Sequence, residues 1–423
     1  MIRSKRSFIL RGYTPLAFFL SLSLPAFALR AEPVTFSHAV NQSEAVTPAI
    51  KARSLAIEAA QSDLIAADQL PDPKLSVELL EQRIAGPFRF SPRPGRNGFP
   101  RQKIGISQYF PNGAKRRARA GQAEADIAVA RANKLAEIQD VRLYAALAWI
   151  DLYYAKRRLR ILDILDQSLK DLSVTVEARL ESGSSRAAQA FEPERLIAKL
   201  ADRRSRRKAD IGRGRAMLAR WTGIQNPQID GGPPDITLNP SALMAKIEQL
   251  PLIEIQQARV ARAEADIDLA RANKRPDFAI NAAYAHRRPE YGEYVSVGVT
   301  IDLPLFAKKR QNPKINARML DADAARLEVL ETKKQLVADL AADLAANKSH
   351  RENWERSRDT LLPLAKKQAE LDQISYSANR VDLDTALNTA VAFAETEIDL
   401  LDREAVLVRD TVRIQFTYVR NFP

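Results

Sequence analysis

An internal repeat constrains the fold of this chain more than any other feature of its sequence. Residues 101–117 read RQKIGISQYFPNGAKRR, and residues 294–310 read YVSVGVTIDLPLFAKKR. The similarity continues upstream, where residues 62–79 match residues 267–284 and both segments contain a Pro-Asp pair. Each copy therefore predicts the same order of elements: helix, Pro-Asp break, strand, loop, strand, Pro break and helix.

Alternation of apolar and polar residues with a period of two predicts two strands in each copy. The strands are predicted near residues 74–84, 101–110, 277–287 and 293–303. In the last strand one face carries only aliphatic side chains, Val295, Val297, Val299 and Ile301, and we predict that this face contacts lipid. A strand of about 10 residues crosses a bilayer when tilted, and this alternation is typical of a transmembrane barrel. A half-buried sheet of a soluble protein has the same pattern.

Long helices flank the predicted strands. They are expected at residues 114–182, 186–222, 314–376 and 382–416, with one interruption at Pro363 and a Pro/Gly-rich linker at 226–240. The first helix would be roughly 100 Å long at 1.5 Å per residue. Within it, apolar residues recur every seven positions and many are alanines, which predicts close packing against neighbouring helices.

The N-terminus has the features of an export signal. Four positive residues precede the apolar segment PLAFFLSLSLPAFA, and Ala26-Phe27-Ala28 supplies a small-x-small cleavage site, so we predict a signal peptide at 1–28. Its apolar run is shorter than the ~20 residues that cross a bilayer as a helix. No later segment of the sequence is an apolar helix of spanning length. An exported chain of this kind is periplasmic, secreted or inserted in a membrane as strands.

The composition excludes several classes of protein. The sequence contains no cysteine and only three histidines, which lie far apart in the chain. There are therefore no disulfides, no thiolate metal sites and no lipidated N-terminal cysteine. The net charge of +13 comes from Lys and Arg interleaved with Asp and Glu, as on solvated helix faces. Without a P-loop, a Ser/His/Asp set or a nucleic-acid motif, we predict no enzymatic activity, no cofactor, no metal site and no nucleic-acid partner.

Taken together, the motifs resemble the TolC-type outer-membrane efflux family. In the first copy they are LPDPKL, IGISQYFPNGAKRRARAGQAEADI, AWIDLYYAKRRL, RLIAKLADRR after a turn at Gly183, and ARWTG. In the second copy they are RPDFAI, VGVTIDLPLFAKKR and the turn from Tyr376 to Leu387. The ordered, duplicated set covers nearly the whole mature chain. It looks most like the outer-membrane components of heavy-metal and cation resistance-nodulation-division efflux systems.

The resemblance implies a mostly α-helical chain with a transmembrane β-barrel. Each subunit of a homotrimer would give four strands to a shared twelve-stranded barrel in the outer membrane of a Gram-negative bacterium. Two repeats, at 29–225 and 241–423, would contribute the long helices of a periplasmic tunnel. Its partners would be a periplasmic adaptor protein and an inner-membrane pump. The loop at 85–100 and the shorter turn near 287–292 would then face the outside.

The resemblance also assigns residues to the periplasmic aperture and the adaptor contact. They lie in two turns: Gly183, Arg186 and Gln189 in the first, and Asn379, Asp382, Asp384, Thr385 and Asn388 in the second. Asn379 stands where the family usually has Gly, and Asn tolerates the same left-handed backbone. Many members carry acidic residues at the positions of Thr385 and Asn388, so the acidic ring of those members does not transfer to this chain. Asp382 is a candidate N-cap of the returning helix.

A passive export conduit explains these features best, and two alternatives stay open. A periplasmic coiled-coil scaffold without a pore would explain the helices and the signal peptide, but not the duplicated strands with Pro breaks at both ends. An exported hydrolase would need a catalytic set, whereas the abundant acidic residues here have the spacing of surface ion pairs on helices. The cargo is open among metal cations, small organic compounds and proteins.

Overall fold

A computed structural model gives the structure of residues 32–80, 85, 101–181, 191–286, 292–378 and 380–420. The predicted signal peptide, residues 81–84 of the first predicted strand, residues 86–100 of the predicted loop and residues 287–291 of the predicted short turn lie outside these described residues. So do four of the predicted aperture residues, Gly183, Arg186, Gln189 and Asn379.

The described elements follow the repeat. In the first half they are β1 Glu32–Val34, α1 Phe36–Val46, α2 Pro48–Ala67, β2 Lys74–Leu80, β3 Arg101–Phe110, α3 Gly113–Glu181 and α4 Phe191–Thr222. In the second half they are β4 Pro227–Ile229, α5 Pro240–Lys246, α6 Pro251–Ala272, β5 Asp277–His286, β6 Tyr294–Asp302, α7 Gln311–Arg356, α8 Leu362–Ser377 and α9 Leu383–Tyr418. The mostly helical fold with four longer strands, expected from the sequence, is confirmed.

Helix α3 is 69 residues long, and the apolar seam in its sequence explains how closely other helices pack against it. It packs against α2, α4, α6 and α9. The heptad seam is buried, with Val141, Leu152 and Leu162 at most 2% exposed. Alanines at other seam positions, such as Ala145, let the helices approach closely because they carry only a methyl group.

The third long helix differs from the predicted helix at 314–376. It begins three residues earlier, at Gln311, and it is divided by a π-helical turn at Ser357–Leu361. The next residue but one is Pro363, which has no N–H and whose ring would clash with the carbonyl four residues back. The widened turn, in which the Leu362 N–H bonds to the Ser357 carbonyl, relieves that conflict. The interruption therefore lies before the proline rather than at it.

The segment at 226–240 is more than the linker that the sequence suggested. Within it, β4 forms a short parallel pair with β1, joining Pro33 to Gln228. The pair is anchored on α3, because the Trp149 indole N–H donates to the Val34 carbonyl at 2.8 Å. Phe36 packs edge-on against the same indole, with 5.7 Å between ring centroids. The start of the described chain is thereby fixed against the middle of the helical body.

Strands β2, β3, β5 and β6 form one antiparallel sheet in the order β2-β3-β5-β6. The two repeats therefore meet in the middle, where β3 of the first pairs with β5 of the second. Strands β2 and β6 are the edges. Among the described residues, no helix is both long enough and apolar enough to cross a membrane.

Three buried apolar clusters hold the helices together. The first surrounds Trp149, the second lies toward the second turn around Leu169 and Leu387, and the third joins α5, α6, α7 and α9 around Leu340 and Ile414. Helix α3 contributes to the first two of these clusters, and α9 contributes to all three. The helical body is thus continuous from the sheet to the turn at Asp382.

Candidate channel-forming site

The four-stranded sheet has one apolar face. Rows of apolar side chains cross all four strands, because residues that stand opposite one another in the ladders point to the same face of the sheet. One row consists of Leu75, Ile106, Ala282 and Val297, and the next consists of Val77, Ile104, Tyr284 and Val295. At the end of the face nearer the helices, Phe110 stacks on Phe278 with 5.1 Å between centroids.

The four aliphatic residues predicted to contact lipid lie on this face. Val295, Val297, Val299 and Ile301 are 72%, 73%, 63% and 55% exposed in the single chain. No described part of the chain covers them. Moving each of these side chains from water to an apolar environment would be favourable by about 1.5–3 kcal/mol. Their contact with lipid stays a prediction.

The opposite face of the sheet is polar. Lys103 and Glu78 form an ion pair at 3.3 Å, and the Asn281 amide donates to the Thr300 hydroxyl at 3.0 Å. On β3, Gly105 faces the β2 residue Ser76. A Cβ atom at Gly105 would come within 2.9 Å of the Ser76 hydroxyl oxygen. A sheet with one apolar and one polar face suits a boundary between lipid and water.

Asp277 links the sheet to the helices. Its carboxylate accepts hydrogen bonds from the Tyr109 hydroxyl at 2.5 Å, from the Asn112 backbone N–H at 2.7 Å and from the Asn112 side-chain amide at 2.8 Å. The ammonium group of Lys115 also donates to it. The Asp277 and Lys115 side chains are only 5% and 14% exposed, so this is a nearly buried ion pair.

Asn112 extends the same junction to two helices. Its side-chain oxygen accepts from the Lys115 backbone N–H at 2.9 Å, which caps α3. Its amide also lies 3.2 Å from the carbonyl of Ala272, the last residue of α6. The sequence pointed to the Pro-Asp pair only as a break. The available signal was that the Pro-Asp pair and, further along the chain, the order Pro-x-x-Ala-Lys both recur in the two copies of the repeat.

At the other end of the helical body, the structure describes one of the two predicted turns in part. Asp382, Asp384, Thr385 and Asn388 are all exposed in the single chain. Asp382 occupies the N-cap position of α9, as the sequence predicted, although its side chain makes no capping hydrogen bond. The Asn388 amide donates to Asp384 at 3.1 Å along the helix.

Polar networks between the helices shift several pKa values. Arg413 of α9 bonds the Asp343 carboxylate of α7 through both of its terminal nitrogens, at 2.7 and 2.9 Å, and these bonds raise its pKa. Burial, followed by the neighbouring Asp343 charge, raises the pKa of Tyr418 above its usual range. Burial also raises the pKa of Glu397, against the opposing effect of Lys366. Among the described residues, no group of three or more potential ligands is placed to hold a metal ion.

Comparison with known proteins identifies the fold. No protein-family model matches the chain. It is 22% identical over 405 residues to the cobalt-zinc-cadmium resistance protein CzcC of Cupriavidus metallidurans, covering 92% of this chain and 88% of that protein.

Solved structures with a similar fold include outer-membrane channels. The CmeC outer membrane channel of Campylobacter jejuni superposes with a TM-score of 0.73 at 13% identity, covering 92% of this chain and 86% of CmeC. The MtrE outer membrane channel of Neisseria gonorrhoeae, in its open state, gives a TM-score of 0.71 at 14% identity, covering 90% and 88%. The resemblance inferred from the sequence is confirmed, and the chain has the fold of the TolC-type outer-membrane channels.

Proposed function

We propose that the chain is the outer-membrane channel of a tripartite efflux system. Three copies would form a passive conduit that exports substrates delivered by an inner-membrane pump and a periplasmic adaptor protein. The energy for transport would come from the pump. The strands would lie in the outer membrane and the helices in the periplasm.

The observation that carries this proposal is the sheet at one end of a long helical body. Its apolar face is exposed across all four strands, while its other face is polar and hydrogen-bonded. In the described part of one chain this sheet has four strands and two open edges, and an open edge in lipid leaves backbone groups unpaired. Several copies arranged around one axis would pair those edges and enclose a water-filled interior.

Metal cations are the substrate class that we propose. The similarity to a cobalt-zinc-cadmium resistance protein over most of both chains supports this assignment. In a passive conduit, selection of the cation would reside in the pump and adaptor, so the channel itself needs only a polar, open path.

The exposed residues of the second turn would line the periplasmic mouth of the conduit. Thr385 and Asn388 are our candidates for the aperture, and Asp382 and Asp384 are candidates for contact with the adaptor. All four are exposed and lie at the N-cap or in the first turns of α9, at the end of the helical body farthest from the sheet. Three copies around one axis would bring three of each together.

Conductance measurements test the proposed function directly. Trimers purified from outer membranes should form ion-conducting pores in planar bilayers, and cells lacking the protein should accumulate cobalt, zinc or cadmium. A chain that fractionates as a soluble periplasmic protein and forms no pores would instead fit the coiled-coil scaffold.

Labelling of intact cells tests the topology. Because the sequence contains no cysteine, the variant Ser91→Cys carries a single thiol in the long loop. A membrane-impermeant maleimide should label it in intact cells. The control Ser205→Cys, on an exposed position of α4, should react only after the outer membrane is permeabilised. The reverse pattern would overturn the proposed orientation.

A further inference from the structure

The two edge strands of the sheet, β2 and β6, each pair on one side only within the described chain. Their side chains are also uncovered, since Val77 on β2 is 76% exposed. An edge strand presents a row of unpaired N–H and C=O groups to its surroundings. Both edges need a partner once the sheet leaves water.

The internal repeat specifies how these edges meet. Matching Pro111 to Pro304 makes β6 the counterpart of β3, and matching Asp277 to Asp72 makes β2 the counterpart of β5. Within the chain, β3 and β5 already form an antiparallel ladder that joins the two repeats. Replacing both strands of that ladder by their counterparts gives a ladder between β6 of one copy and β2 of the next.

We propose that β6 of one copy pairs antiparallel with β2 of a second copy, with Val299 opposite Val77, and that Lys308 of the first copy forms an ion pair with Asp72 of the second. This inference rests on the proposed function, because it describes how subunits of the channel join. It fixes the register of the contact and names the charged pair beside it.

The register follows from the intrachain ladder, and the side chains agree with it. The apolar pairs that it creates are Ile301 with Leu75, Val299 with Val77 and Val297 with Leu79. On the polar face, Thr300 meets Ser76, and at the end near the helices Asp302 meets Lys74. The apolar face thus continues from one copy to the next. A slip by one residue would set apolar side chains against the polar face.

The charged pair is the counterpart of the junction described above. Lys115 and Asp277 form a nearly buried ion pair within the chain, and their counterparts are Lys308 and Asp72. Lys308 and Asp72 are both exposed, and neither forms an ion pair with another residue in the described part of the chain. A second copy docked in the repeat register would bring them together and shield them from water.

The second copy of the repeat differs from the first at three positions of this junction, because Asp302, Leu305 and Phe306 stand where the first copy has Tyr109, Asn112 and Gly113. Leu305 stands where the first repeat has Asn112, so the helix has no side-chain cap. Residues 305–310 form turns, and α7 begins at Gln311 instead of at the counterpart of Gly113. Leu305 and Phe306 in these turns are 74% and 72% exposed. They lie beside Lys308 and would be covered by the same neighbour.

The helices next to the sheet also have an apolar surface that is covered in the first repeat and exposed in the second. Ile127 of α3 is 6% exposed, whereas its counterpart on α7, Leu320, is 61% exposed. Helix α6 packs against α3, and the repeat counterpart of α6 is α2. Only Ile50 of α2 is buried in this chain. Helix α2 of the second copy is therefore the element that fits against α7.

Disulfide formation tests the register. The double variant Ser76→Cys/Thr300→Cys adds two thiols to a chain without cysteine. In one chain these positions are three strand spacings apart across the sheet, roughly 14 Å, and a further four residues apart along it, which excludes an intrachain disulfide. After oxidation in outer-membrane vesicles, the chain should migrate as a covalent trimer, and reduction should return it to the monomer.

The matched control is Ser76→Cys/Ser296→Cys. It moves one thiol four residues along the same face of β6, roughly 13 Å, beyond the reach of a disulfide. Trimers that cross-link through 76 and 296, or through neither pair, would overturn this register while leaving the channel proposal intact. If the unmodified chain forms no trimers at all, both proposals fail.

Charge reversal tests the ion pair. Asp72→Lys and Lys308→Asp should each lower the temperature at which the trimer dissociates by about 2–4 °C. Together, they should restore most of the loss, because the pair is re-formed with its charges exchanged. The control combines Asp72→Lys with Lys309→Asp, the adjacent lysine, and should show no recovery. Equal recovery in both combinations, or none in either, would overturn the assignment of Lys308.

Discussion

At the scale of single residues, the junction between sheet and helices depends on Asp277. Its three partners, Tyr109, Asn112 and Lys115, all belong to the other repeat. The sequence shows that a Pro-Asp pair recurs, but local periodicity contains no information about partners more than 160 positions away. Asp382 does take the N-cap position that the sequence predicted, but its side chain makes no capping hydrogen bond.

The variant Asp277→Ala should destabilise the folded chain by about 3–5 kcal/mol, because it leaves the nearly buried Lys115 ammonium without a counter-charge. The urea concentration at the midpoint of unfolding measures this effect. Asp268→Ala is the control, since its side chain is 66% exposed and its ion pair is with Arg271 on the same helix. Similar midpoints for the two variants would contradict the importance of the junction.

A second prediction at this scale concerns Asp382. A bonded N-cap contributes about 1 kcal/mol, and the side chain of Asp382 makes no such bond. Asp382→Ala should therefore lower the free energy of unfolding by clearly less than that amount. Asn239→Ala is the matched control, because the Asn239 side chain accepts from the Ala242 N–H at 3.1 Å at the start of α5. A larger loss at Asp382 than at Asn239 would show that the aspartate does cap the helix.

At the scale of elements, the sequence predicted most of the fold because each repeat contains strong periodic signals. The alternation in β3 and β6 and the heptads in α3 were sufficient to locate those elements. The pairing of β1 with β4 was missed, because three-residue strands have no measurable period. The π-turn before Pro363 was missed because the sequence marks the proline, whereas the strain is relieved in the turn that precedes it.

The proposal that the apolar face of β6 contacts lipid gives a prediction at the scale of elements. Val299→Arg should destabilise the assembled protein by roughly 2–4 kcal/mol if the position lies near the middle of the bilayer, because the charge would enter lipid. Thr300→Arg, one residue along, should be tolerated, because its side chain lies on the polar face with Asn281. The amount of trimer recovered from outer membranes compares the two. Equal recovery would reverse or remove the assignment of the apolar face.

At the scale of the whole molecule, three copies would arrange the sheets and turns of each chain around one axis. The polar face of each sheet would line one interior, and the turns at Asp382 would meet around one axis. The repeat explains why the sheet of a single chain has two unpaired edges. Strand β3 of the first repeat pairs with β5 of the second, whereas their counterparts β6 and β2 are left at the edges. The aperture positions, by contrast, depend on the family resemblance, because a turn has no periodicity from which its direction can be predicted.

The aperture gives the prediction at this scale. Thr385 and Asn388 are exposed and lie one turn apart on α9, so they belong to the same side of the helix. Replacing both with Asp would add two carboxylates in each of three copies around the proposed mouth. The reversal potential in a salt gradient should then shift toward cation selectivity, and divalent cations added on the periplasmic side should block the current. The control Ala201→Asp/Ser205→Asp adds the same charge at the same kind of spacing on exposed positions of α4, away from the turn. An unchanged reversal potential without divalent block, or the same change in the control, would remove Thr385 and Asn388 from the aperture.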